Sequence, residues 1–110
     1  MQYIQIVTTT ETSEEAQKIA RALIDRRLAA CVQIAGPITS VYRWKGEVET
    51  AEEWMCVAKT REDLYAEAEA AIREHHSYEV PEILGMPIEH GSASYLNWLD
   101  AELKADQQDG

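Results

Sequence analysis

The chain has 110 residues, 45% hydrophobic and 27% charged, a composition that fits one soluble globular domain and leaves no room for a second core. Its 20 acidic residues against 10 basic ones give a formal net charge of −10. That balance repels phosphate backbones, so nucleic-acid binding is not expected, and it draws cations only weakly, because selectivity needs converging ligands. No apolar run nears the roughly 18 residues of a membrane span. Met1-Gln2-Tyr3 leads directly into an alternating segment, without the pattern of a signal peptide. Cys31 and Cys56 are too few for a disulfide scaffold and do not form a CxxC pair, which points to a reducing, cytoplasmic setting.

Tyr3, Ile4, Ile6 and Val7 mark a first strand within Gln2 to Thr9. Thr12 precedes Glu15 by three positions, the spacing of a capping box. The stripe Ala16, Ile19, Ala20, Leu23, Ile24 and Leu28 then predicts an amphipathic helix. Cys31 to Trp44 and Glu47 to Lys59 read as the arms of a long hairpin turning at Lys45-Gly46. Gly36-Pro37 implies a bulge or an edge position in the first arm, since proline cannot donate a ladder bond. Thr60 with Asp63 predicts a second capped helix carrying Leu64, Ala68, Ala71 and Ile72. Val80 to Ile88 is extended, and Gly91-Ser92 opens a last helix with Tyr95, Leu96, Leu99 and Leu103.

The order β-α-β-β-α-β plus one helix predicts an α+β, ferredoxin-like domain with an antiparallel sheet, over residues 1–104, followed by a polar tail at 105–110. Each hairpin arm, at about 3.3 Å per residue, would run some 40 Å, whereas a chain of this length has a radius of gyration near 13 Å. The ribbon must either coil within a monomer or overhang the domain. An overhanging ribbon with Val41, Tyr42, Trp44, Val48 and Trp54 would be covered by further copies of the chain, so self-association is expected.

His75-His76 is the only adjacent histidine pair. Imidazoles ligate copper, zinc and nickel, but neighbouring helical residues point about 100° apart, so a shared ion requires the helix to have ended. Otherwise one ring caps the helix C-terminus and the other is solvated. If Trp44 pairs with Glu47, Cys31 faces Thr60 and Cys56 faces Ala35, too far apart for a disulfide. Glu47, Lys59, Glu79 and Glu82 are polar groups at strand ends, either surface charges or pocket walls. Tyr95 and Trp98 read as core, in a chain without phenylalanine. Phosphate-loop, nucleophile-elbow, zinc-protease and dinucleotide motifs are absent from the sequence, and no enzyme is expected.

Five segments in register resemble the CutA family: Arg27 to Val32, Tyr42 to Glu47 around a Y-x-W-x-G turn, Lys59-Thr60, His76 to Ile83, and Tyr95 to Leu99. The resemblance covers nearly the whole chain. It implies a homotrimer of ferredoxin-like subunits, similar to PII signalling proteins, with hairpins paired between neighbours and pockets at subunit boundaries. It also implies tolerance of copper or another divalent metal, with His75 and His76 at the position proposed for binding. Thr8 stands where some members carry a strand-one cysteine, so a soft ligand is missing. Two functions follow as expectations: a metal-binding trimer with His75 and His76 as ligands, or a PII-like sensor binding a small molecule or protein. The sensor's pocket would be built by Cys31, Tyr42, Trp44, Glu47, Lys59, Tyr78 and Glu82. A weaker third reading makes Lys59 and Glu82 an acid–base pair.

Overall fold

Strand β1 (Tyr3–Thr10) is rich in β-branched side chains, which suit a strand covered on both sides, and it takes a central position. In the computed structural model of the chain, which describes residues 2–105, it lies between β3 (Glu47–Arg61) and β4 (Ile83–Ile88). Strand β2 (Cys31–Trp44) pairs with the other side of β3 and forms a sheet edge. All three pairings are antiparallel, giving the order β2-β3-β1-β4. Helices α1 (Ser13–Asp25), α2 (Tyr65–His75) and α3 (Ala93–Glu102) complete the expected ferredoxin-like plan and its added helix. Of the expected tail at 105–110, residues 106–110 lie outside the described residues.

The α1 stripe packs as its period requires: Ile19 and Leu23 join Ile4, Ile6, Ala58, Leu64, Ala68, Ile72 and Leu99 in one core. Burial of each large aliphatic side chain stabilises the fold by roughly 1.5–3 kcal/mol. Ile24, at the margin of the stripe, is exposed. Thr12 caps α1 by accepting from Glu15 N–H at 3.1 Å. The reciprocal half of the box does not form, because the Glu15 carboxylate reaches Ser77 instead.

Three expectations are corrected. Thr60 does not cap α2; it is a buried residue of β3, and Asp63 is engaged by Arg61, so a short 3₁₀ turn at Glu62–Leu64 leads into the helix. Tyr95 and Trp98 are exposed and stack on each other with ring centroids 5.5 Å apart. The hairpin keeps the pairing of Trp44 with Glu47 only as far as Ile38 opposite Glu53. Beyond the bulge at Gly36-Pro37 the register slips by one, so Cys31 faces Lys59 and Ile34 faces Cys56.

The cysteines form no disulfide. Cys56 is fully buried, and burial first, then the nearby Glu15 carboxylate, pushes its thiol up to about 11. At mildly alkaline pH only about one part in a thousand is thiolate, the reactive form. Alkylation of the native protein followed by mass mapping is expected to modify half-buried Cys31 and spare Cys56; unfolding in guanidinium should expose both.

Candidate functional site

The hairpin leaves the domain at the end of β1, and the molecule measures 46 × 26 × 24 Å. Where the ribbon departs, the loop after α2 turns back toward it and the two enclose an open cavity of about 640 Å³. Tyr42 and Trp44 line it from β2, Glu53 from β3, Thr9 from β1, and Ser77 to Val80 and Glu82 from the loop.

That loop is held by three different elements. The Glu15 carboxylate of α1 accepts from Ser77 N–H at 2.6 Å and from Ser77 Oγ–H at 3.1 Å. His76 Nε2–H donates to the Thr9 carbonyl at 2.8 Å, while His76 Nδ1 accepts from Tyr78 N–H at 3.2 Å. A carbonyl only accepts and an amide N–H only donates, so the two bonds together select the Nε2–H tautomer. The Tyr78 ring lies 5.0 Å from the His76 ring, and its hydroxyl donates to Glu53 Oε2 at 2.7 Å. Burial, and after it the Glu53 hydrogen bond, hold the phenol well above its ordinary range, so it remains the donor.

Glu53 is the unusual member. It is 7% exposed, and among the described residues its one hydrogen bond is the one from Tyr78, with no cationic partner. No lysine, arginine or histidine lines the cavity, which carries the carboxylates of Glu53, Glu79 and Glu82. Glu53 thus presents its carboxylate to the cavity with no counter-charge beside it, which an entering cation would supply.

Of the expected pocket residues, the structure gathers Tyr42, Trp44, Tyr78 and Glu82 on this cavity. Glu47 lies at the exposed hairpin turn and does not line it. Cys31 and Lys59 face each other at the opposite end of the hairpin, where Lys59 Nζ donates to Gln33 Oε1 at 2.6 Å. Within one chain, Lys59 and Glu82 therefore lie apart. Sequence reasoning missed Glu53 and Thr9. Strand alternation turns one of the neighbours Glu52 and Glu53 to each face, which was the available signal for Glu53.

The helix does end at His75, with His76 in extended backbone. The imidazoles nevertheless serve separate local roles. His75 Nδ1–H donates to the Ala71 carbonyl at 3.0 Å, leaving Nε2 open. Both nitrogens of His76 are engaged, so it has none for a metal in this arrangement. Among the described residues, no three His, Cys, Asp or Glu side chains converge as a metal site. The residues present do not fit a closed transition-metal centre.

No described helix is long and apolar enough to cross a membrane. The family model described as CutA1 divalent ion tolerance protein matches residues 4–102. The divalent-cation tolerance protein CutA of Thermus thermophilus is 43% identical over 96 residues, covering 86% of this chain and 93% of that protein. Among solved structures, CutA1 from Oryza sativa superposes with a TM-score of 0.92 at 35% identity, covering 96% of this chain and 97% of that one. A structure described as the periplasmic divalent cation tolerance protein CutA of Archaeoglobus fulgidus gives 0.89 at 38% identity, over 93% and 99%.

Proposed function

Because the chain belongs to the CutA1 family of divalent ion tolerance proteins, we propose that it acts in that response as a non-catalytic binding protein, whose acidic, aromatic pocket takes a cationic ligand. The observation that carries this reading is Glu53, a buried carboxylate that opens on the pocket with no cation beside it. The pocket reading stands in the place of the PII-like sensor, with a small ligand bound where the hairpin meets the domain.

The working form is a homotrimer. Exposed Val41 and Val48 on the ribbon beside the free edge of β2, and exposed Leu84 and Met86 on β4 at the opposite edge of the sheet, are separate apolar surfaces that further copies would cover. Light scattering is expected to give three times the 12.4 kDa of one chain. The free thiols of Cys31 and Cys56 suit a reducing cytoplasm.

A second reading, copper or another divalent metal at the histidine pair, is favoured by the open Nε2 of His75. His76 would join only after giving up its bond to Thr9 or Tyr78. Calorimetric titration with an alkylammonium ion, beside copper(II), zinc(II) and nickel(II), separates the two. Under the pocket reading, Glu53→Gln weakens cation binding about 10-fold or more and His75→Ala leaves it unchanged. The reverse pattern moves the site to the histidines.

A further inference from the structure

The same pocket says more about its ligand than its charge. A bare divalent ion needs several ligands within about 2.0–2.6 Å of one point, and the cavity is far wider than that. At about 640 Å³ it falls in the range, about 300–1,000 Å³, of sites for organic molecules. Its walls combine the rings of Tyr42, Trp44 and Tyr78 with carboxylates and no basic side chain. Aromatic faces attract ammonium groups and cover methylene carbons, whereas they give a hydrated metal ion little. Trp44 already displays this property, since Lys45 Nζ lies over its ring, 5.5 Å from the centroid, and Lys45 is not a lining residue.

The carboxylates are arranged at two depths. Glu53 is buried, and its bond from Tyr78 uses Oε2, leaving Oε1 without a partner. Glu79 and Glu82 are exposed at the rim. One positive charge would satisfy Glu53, and a second on the same molecule would meet the rim.

We infer that the pocket binds a short aliphatic diamine, one ammonium donating to Glu53 Oε1, the carbon chain lying against the aromatic rings, and the other ammonium at Glu79 and Glu82. This rests on the pocket reading above and names its ligand class. Tyr78 is a positioning residue here: its hydroxyl holds the Glu53 carboxylate in place while Oε1 faces the ligand.

The test is calorimetric titration of the intact protein with 1,4-diaminobutane at physiological ionic strength, which suppresses loose attraction to the net charge of −10. Butylamine and 1,4-butanediol are the comparison probes. The diamine is expected to bind saturably at one molecule per chain, butylamine more weakly, and the diol not at all. Glu53→Gln should weaken the diamine about 10- to 100-fold, the loss of a charge-assisted hydrogen bond. Tyr42→Leu should weaken it several-fold in a variant whose light-scattering mass and melting temperature match the parent's, which guards against misreading a lost assembly or a folding defect. A non-saturating diamine signal, or a saturable one indifferent to Glu53→Gln, overturns the inference. If zinc(II) heats fall in Glu53→Gln while the diamine stays silent, the pocket reading stands and the diamine is wrong. If neither cation responds to Glu53→Gln, both fall.

Discussion

Arg61→Ala is expected to lower the stability of the fold by about 3–5 kcal/mol, the range for breaking a buried ion pair from one side. Arg61 is 2% exposed at the end of β3. Its guanidinium meets Asp63 through two bonds, Nε to Oδ1 at 2.9 Å and a second nitrogen to Oδ2 at 3.3 Å. It also reaches Asp100 Oδ1 at 3.2 Å and the Lys104 carbonyl at 2.7 Å. Burial works against its charge, but the bonds and charges of Asp63 and Asp100 outweigh burial and hold it above its ordinary value. One side chain thus ties β3, the turn before α2 and the end of α3 together.

Alanine would leave the Asp63 side chain, 4% exposed, without this cation and would free the Lys104 carbonyl. For a domain of this length, the loss corresponds to a fall in melting temperature of about 12–40 °C. Urea unfolding followed by circular dichroism, at matched protein concentration because oligomerisation adds to stability, measures it. Arg61→Lys keeps the charge but not the paired geometry and should fall between. A loss under about 1 kcal/mol would show that the cluster is solvated in solution and holds nothing.

The ion cluster also shows what the sequence could and could not reveal. Hydrophobic period made α1, β1 and the hairpin arms legible, because Ile19, Leu23, Ile4 and Ile6 repeat at the spacing of the face they bury. The family motifs led to Tyr42, Trp44, Tyr78 and Glu82, which the fold does assemble. Long-range polar pairings carry no period. Glu15 fits a local capping box with Thr12, yet its carboxylate meets Ser77, 62 residues away. Asp63 has the spacing to cap with Thr60 but binds Arg61 at two positions' distance, because a buried guanidinium outcompetes a neutral backbone N–H for a carboxylate. Glu53 sits in an acidic run and looks like a surface charge until Tyr78 arrives from 25 positions away. Tyr95 and Trp98 read as core because aromatic rings are usually buried, but Leu99 fills that face of α3 alone.

The bulge at Gly36 leads to the second large effect. Between Ala35 and Ile38 two residues of β2 oppose Trp54 of β3, and the indole lies against Gly36. A Cβ there would sit 2.4 Å from Trp54 Cδ1, 2.7 Å from Cγ and 2.9 Å from Nε1. The blocked atoms belong to a rigid ring, so the clash cannot be relieved by swinging a flexible tip. Gly36→Ala is therefore expected to cost about 1–3 kcal/mol as overpacking. Gly46 provides the contrast: an added Cβ meets nothing within 4 Å, and only its φ of +85° resists, at about 1 kcal/mol. If the steric account holds, Trp54→Leu in the Gly36→Ala background recovers part of the loss, and the double-mutant cycle is non-additive. Additive losses would place the cost in the backbone. The consequence extends to the pocket, because Glu53, Tyr42 and Trp44 are carried on the ribbon beyond this bulge while Ser77, Tyr78 and Glu82 stay with the domain. A ring displaced from Gly36 changes the angle at which the ribbon departs and separates those two walls. Gly36→Ala should thus weaken cation binding even at temperatures where the variant remains fully folded, whereas Gly46→Ala, at the far turn, should leave it intact.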